Sequence, residues 1–299
     1  LSRKRFKGVA LDSGRTTLAS VTVMVTASTP RAVQRERDDR RLAAQLLVGP
    51  SADGVVEVVD RLLAVQAQDL RAARLAIRSR TTGLHATDVD SELNNRTLLV
   101  TWLNRGTLHL VQPEDYWWLQ QLTTPQLSTG NAKRLEQEGV SPVQADRGVA
   151  VIEAAITANG PMTRNQLREL VQAADVPVAG QALVHILFLS ALRGLTVRGP
   201  VIGSDQAFVL VRDWLGDPPK VTDRDTALSE LARRFLASPG PADARDLAEP
   251  ASSPVRHARR ARRPLSTSAD PPARRRRARA RTATTTGPRP PGRAGGQLS

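Results

Sequence analysis

Residues 62–69 read LLAVQAQD, placing two amides, Gln66 and Gln68, on either side of one alanine at the end of an apolar run. Each carboxamide offers a carbonyl acceptor and an NH2 donor, so a converging pair can hold a water. One reaction needs little more than that. Cleavage of an N-glycosidic bond passes through an oxocarbenium-like state, as glycoside hydrolysis does. An N-alkylated purine is already cationic and leaves without a strong general acid. The protein then has mainly to position a water and stabilise charge developing on the sugar. The plainer reading makes Gln66 a helix cap and Gln68 a solvated side chain. Geometry sets a condition: on a helix, positions i and i+2 diverge by about 200°, whereas in an extended segment they share a face. The pair converges only if the helix ends between them. Asp69, one step on, is a further general-base candidate.

The elements that must position these residues follow from periodicity. Residues 32–47 read as a helix. Val55, Val59, Leu62 and Gln66 then fall at steps of four, three and four, the stripe of another. RAARLAIRSR continues helically, and 88–95 form a short helix with Asp88 as its cap. TLLVTWLNRGTLHLVQ is a hairpin whose turn, Asn104-Arg105-Gly106, uses glycine for a positive φ. Pro113 opens the next helix. The order then repeats. A helix over 145–159 ends at Gly160, a second opens with Thr163 and Gln166 in capping-box spacing, and an apolar third stops at Gly194. Two strands around Gly-Ser-Asp follow. Helices followed by one hairpin make a winged helix, so the expected fold class is mainly α with small β-hairpins (α+β). The expected architecture is tandem winged-helix domains with a disordered Arg-rich C-terminal tail.

An internal repeat extends the series. GPMTRNQL at 160–167 and GPADARDL at 240–247 share Gly-Pro, a capping Thr163 or Asp243, and Leu167 or Leu247 four residues beyond. The resulting division has a disordered extension over 1–31, winged helix 1 over 32–125 and winged helix 2 over 145–220. An incomplete winged helix 3 starts over 221–249, and a disordered basic tail occupies 250–299. From 250 onward there is no Phe, Tyr, Trp, Ile or Met, too little apolar surface to offset ordering entropy. Two readings of this tail stand: a basic arm gripping phosphates, or translation out of frame, which the repeat's interruption in mid-helix favours.

The formal charge of +14 is concentrated at the ends. Residues 251–299 hold 13 arginines and one acid, and residues 1–23 five basic residues and one acid, leaving 25 basic and 27 acidic residues between. The total alone is therefore no sign that the fold binds nucleic acid. With no cysteine, disulfides and thiolate metal sites are excluded. The four histidines lack ligand spacing, so neither a metal nor a cofactor is expected. No apolar run reaches 18 residues, so no membrane span is expected either. The basic, weakly apolar start faintly suggests an export signal, interrupted by Thr, Ser and Asp; Met24 would be a natural initiator, and cytoplasmic location is the expectation.

LLAVQAQD followed by RTLLVTWLNRGTLHLV at 96–111 resembles the bacterial winged-helix DNA-binding family that includes AlkZ/YcaQ-like glycosylases unhooking interstrand crosslinks. The resemblance covers roughly 35–248, and the Arg-Gly-Thr-Leu-His stretch is its most specific part. It implies a catalytic signature of Gln, an apolar residue and Gln, here Gln66, Ala67 and Gln68. It also implies double-stranded DNA as partner and a C-terminal β-rich domain, which is not expected within residues 250–299. Val100 and Asn104 stand where the family commonly has a basic residue and Met.

The reading is thus a DNA-binding winged-helix protein of glycosylase lineage, acting on alkylated purines or crosslinks and expected to be a monomer. Gln66 and Gln68 are the catalytic candidates. Arg96, Arg105, Thr107 and His109 are the DNA-binding candidates, with His109 alternatively a hydrogen-bonded structural residue. Trp117, Trp118 and His185 are expected in the core. The competing reading is a non-catalytic winged-helix regulator, which would need basic and amide side chains along its third helix. In the second unit only Gln181 and Arg193 qualify.

Overall fold

The computed structural model describes residues 6–7, 20–21, 30–219 and 223–237. The incomplete third unit beyond 237 and the tail over 250–299 lie outside the described residues, as does most of the 1–31 extension. Within that extension two short strands, β1 (Phe6–Lys7) and β2 (Ser20–Val21), pair antiparallel.

After α1 (Pro30–Ala44), one order of elements occurs twice. The first run is α2 (Val55–Leu62), β3 (Val65–Gln66), α3 (Leu70–Arg78), α4 (Ala86–Asn94), β4 (Leu99–Leu103) and β5 (Thr107–Val111). The second is α7 (Pro142–Asn159), β6 (Met162–Thr163), α8 (Arg164–Ala173), α9 (Ala182–Leu192), β7 (Thr196–Ile202) and β8 (Asp205–Leu210). Two helices, α5 (Pro113–Thr123) and α6 (Leu127–Gln137), connect the runs; α10 (Val211–Leu215) and α11 (Arg224–Ala237) follow them. The sequence reading had no element at α6, whose LSTGNAKRLEQ carries few apolar residues to mark a face.

The hairpins are not separate. Each short strand pairs with the last strand of its run, β3 with β5 and β6 with β8, and β4 pairs with β7 through Val100 and Arg198. The result is one six-stranded antiparallel sheet in the order β3-β5-β4-β7-β8-β6. The near-continuous apolar run of TLLVTWL, with Leu98 to Leu103 all buried, reflects a strand covered on both faces. Val100, Trp102, Leu108, Leu110 and Phe208 join one core with α7 and α9. Leu99, Leu103, Val111, Val197 and Val209 join the other with α5 and α11. α11 is docked on the first run: Arg234 bonds both Asp115 of α5 and Asp60 of α2.

Several expected boundaries change. The stripe drawn through Val55, Val59, Leu62 and Gln66 is helical only to Leu62. Leu63 takes φ 68°, and Val65 and Gln66 leave the helix to pair with Leu110 and His109. Sheet pairing at the edge outweighs helical periodicity over so short a run. Asp88 is not the cap of α4. His85 stands at that position, and the Asp88 carboxylate accepts its backbone N–H at 2.6 Å from three residues inside. α7 begins three residues before 145, where Ser141 caps it ahead of Pro142. His185 is only half-buried, its Nδ1 2.8 Å from Asn131 Oδ1. Trp117 and Trp118 are half-buried against the second core. As expected, Gly106 takes positive φ, 81°, and Thr163 and Gln166 form a capping box.

Candidate nucleic-acid interface

The segment Val65–Gln68 runs extended along β5. Val65 pairs with Leu110, Gln66 with His109, and Ala67 N–H donates to the Leu108 carbonyl at 2.7 Å. Val65 and Ala67 are buried, and Gln66 and Gln68 are exposed. The helix therefore breaks before both amides, not between them. Gln68 Oε1 accepts the backbone N–H of Leu108 at 3.2 Å, which fixes its carboxamide at the bend into α3. Asp69 is occupied as the cap of α3, its Oδ1 accepting Arg71 N–H at 2.9 Å.

Gln68 lines a cleft of about 770 Å³ between the two runs, with Arg71 and Arg74 from α3, Arg164 and Arg168 from α8, and Arg198 from β7. Only Asp69 and Asp205 oppose these five arginines among the lining residues. The amino ends of α3 and α8 both open on it, adding the positive ends of two helix dipoles. Sequence totals hid this, because acids elsewhere cancel the arginines. The signal available in sequence was positional: both runs place Arg in the first turn of their second helix, at Arg71 and Arg164.

Gln66 lines a different and more apolar hollow of about 320 Å³, with Leu62, Leu63, Ala64, Arg80 and Phe235. The structure thus places the two amides beside separate hollows at the sheet edge.

His109 stands between Gln66 and Thr101 in register, on the sheet face of Gln66. Its Nδ1 lies 2.9 Å from the Thr107 carbonyl, which can only accept, so Nδ1 carries the proton. Burial lowers its pKa, the bond to Thr107 opposes that, and the nearby Arg105 charge lowers it further. In the neutral ring Nε2 is then an acceptor. Thr107 is half-buried opposite Leu103, and Arg105 is exposed at the hairpin turn. Arg96 lies elsewhere. It takes φ 63°, stacks 4.5 Å from the Trp214 ring centroid and donates to the Asp213 carbonyl at 3.3 Å.

The third helices are poor readers of bases. α4 carries Asp88, Asp90 and Glu92 and no basic residue. In α9, seven residues are buried, and Arg193 at its end pairs with Asp146. Among the described residues no His/Cys/Asp/Glu cluster could hold a metal ion, and no helix is long and apolar enough to cross a membrane.

Comparison with known proteins gives a consistent picture. The family described as DNA glycosylase AlkZ-like matches residues 59–296. A curated relative, the interstrand DNA cross-link repair glycosylase of Streptomyces sahachiroi, is 28% identical over 208 residues, covering 68% of this chain and 56% of the relative. The solved structure of the Streptomyces sahachiroi DNA glycosylase AlkZ aligns with a TM-score of 0.60 at 26% identity, covering 76% of this chain and 64% of that one. The chain thus spans less than two thirds of the length of either match.

Proposed function

This chain belongs to the AlkZ-like DNA glycosylase family, and from that premise we propose that it binds double-stranded DNA as a monomer through tandem winged helices and hydrolyses the N-glycosidic bond of alkylated purines or crosslinked bases. The supporting topology is the twice-used order of helix, short strand, two helices and hairpin, with the short strand against the last one. The observation that carries the chemistry is the extended Val65–Gln68 segment, which holds Gln68 against β5 at the rim of a cleft lined by five arginines.

In this reading phosphates occupy the arginines, and Gln68 faces the strand they hold. With Oε1 fixed by Leu108 N–H, its second lone pair accepts from the attacking water and orients it. The glycosidic C–N bond breaks with its electrons going to the cationic purine, which leaves neutral. The water oxygen bonds to the sugar carbon, and its surplus proton passes to solvent. Gln66 approaches from the neighbouring hollow. Neutral amides suit a cationic transition state, because their carbonyl dipoles stabilise positive charge without holding a competing cation. His109, kept neutral by burial, supports the row behind Gln66. Arg105 and Thr107 at the hairpin, and Arg96 beside Trp214, are assigned to the DNA backbone. Action on chromosomal DNA is consistent with a cytoplasmic location.

A non-catalytic regulator reading the major groove fits less well, since an acidic α4 and a buried α9 offer no row of base-reading side chains. The deciding experiment is base release from duplex DNA carrying N7-alkylguanine. Release by this chain, reduced roughly 10²- to 10³-fold in Gln68→Ala, is the expected result. No release by the wild-type chain overturns the catalytic reading.

A further inference from the structure

Arg198 has a setting unlike that of Arg74 and Arg168 in the same cleft. It lies on β7 opposite Val100, at the seam where the two halves of the sheet join. Its guanidinium packs 4.8 Å from the Trp102 ring centroid and 5.0 Å from that of Phe208. These rings, themselves stacked at 6.5 Å, back its plane where Arg198 and Phe208 line the cleft. Its Nε is buried and has no hydrogen-bond partner. No ion pair joins Arg198 to a carboxylate among the described residues, whereas Arg74 is paired with Asp90 and Arg168 is tied to the Val178 carbonyl. Burial, with the Arg164 charge nearby, pulls its pKa down to about 10, so the cation is retained at neutral pH at a cost. A buried donor such as this Nε–H, left without an acceptor, is a defect in a folded protein unless a ligand completes it.

We propose that Arg198 is a phosphate-positioning residue: it grips one backbone phosphate of the DNA strand in the cleft and so sets where that strand lies against Gln68. A guanidinium presents a planar fork matched to two phosphate oxygens, and the rings fix that plane before DNA arrives. Arg198 and Gln68 line the same cleft. A phosphate contact carries no sequence information but fixes register. This rests on the reading that the cleft receives duplex DNA. It does not depend on base release.

The test uses the full chain and a short fluorescein-labelled duplex of unmodified random sequence, with binding followed by anisotropy over a salt series. Arg198→Gln is expected to weaken binding roughly tenfold or more and to reduce the slope of log K on log salt by about 0.9, one phosphate's share. Arg198→Lys keeps the charge and is expected to restore the slope while regaining only part of the affinity. Because Arg198→Gln removes the unpartnered buried Nε–H together with the packing on Trp102 and Phe208, the two effects oppose and its melting temperature is expected to stay close to wild type. An unchanged salt slope in Arg198→Gln overturns the proposal, as does a loss of slope that Arg198→Lys leaves unrestored. Absence of wild-type binding to this duplex at low salt also overturns it. Binding without base release leaves it standing and removes only the glycosylase reading.

Discussion

Gln68 and Leu108, 40 residues apart, are joined by a side-chain-to-backbone hydrogen bond of 3.2 Å that extends the pairing of β3 with β5 by one residue through a side chain. The carboxamide completes the strand edge and presents its other atoms to the cleft. Its two amides should therefore differ in more than activity.

Gln68→Ala leaves the Leu108 N–H without that partner and is expected to cost about 1–2 kcal/mol. Gln66→Ala, at an exposed site, is expected to stay within about 0.5 kcal/mol. Urea unfolding of the two variants measures the difference, and equal losses would contradict the bond's structural share.

The pair's surroundings show what sequence could and could not reveal. The repeat was legible because capping residues and glycine stops act locally, as at Thr163, Gln166, Gly106 and Gly194. The helical run through Gln66 was misread because three steps of apolar spacing look alike whether or not the chain turns at Leu63. Only the partner strand, contributed from Leu110 and His109, decides that. The cleft was invisible for the same reason: Arg198 becomes its neighbour through a sheet pairing 98 residues away from Val100.

His109 gives a pH signature. Its folded pKa is lowered, chiefly by burial, below the ordinary 6.5. Between that folded value and 6.5 the unfolded chain binds the proton and the folded chain does not. Stability is thus complete above 6.5 and falls as pH drops through this window, by at most about 1.4 kcal/mol per pH unit from one group. His109→Gln is expected to flatten that part of the stability profile in denaturant titrations run from pH 7 to 5.

Arg234 of α11 meets Asp115 of α5 at 3.2 Å, with both side chains largely buried, and Asp115 also accepts Trp118 Nε1–H at 3.1 Å. Asp115→Ala leaves the Trp118 indole N–H without its partner and Arg234 with Asp60 alone, and is expected to destabilise the fold by about 2–3 kcal/mol. A thermal melt in which Asp115→Ala matches wild type would show that α11 does not depend on this pair.

Gly148 lies where α7 crosses α9, and a Cβ there would sit 2.9 Å from Ile186 Cγ2. Gly148→Ala gains about 1 kcal/mol of helix propensity but must displace a branched methyl in a packed core, costing about 1–3 kcal/mol. The expected net result is a lower melting temperature. Gly148→Ala with Ile186→Val is not expected to relieve it, since valine keeps the Cγ2 methyl; Ile186→Ala in the same background is the informative partner.

The continuous sheet has a mechanical consequence. Tandem domains on a flexible tether can each find their own place on a duplex. Here main-chain hydrogen bonds between β4 and β7 lock the two repeats at one spacing and one rotational phase. The protein is in effect a fixed gauge, and in the proposed reading, with duplex DNA across both halves, the bending and twisting needed for a match fall to the duplex.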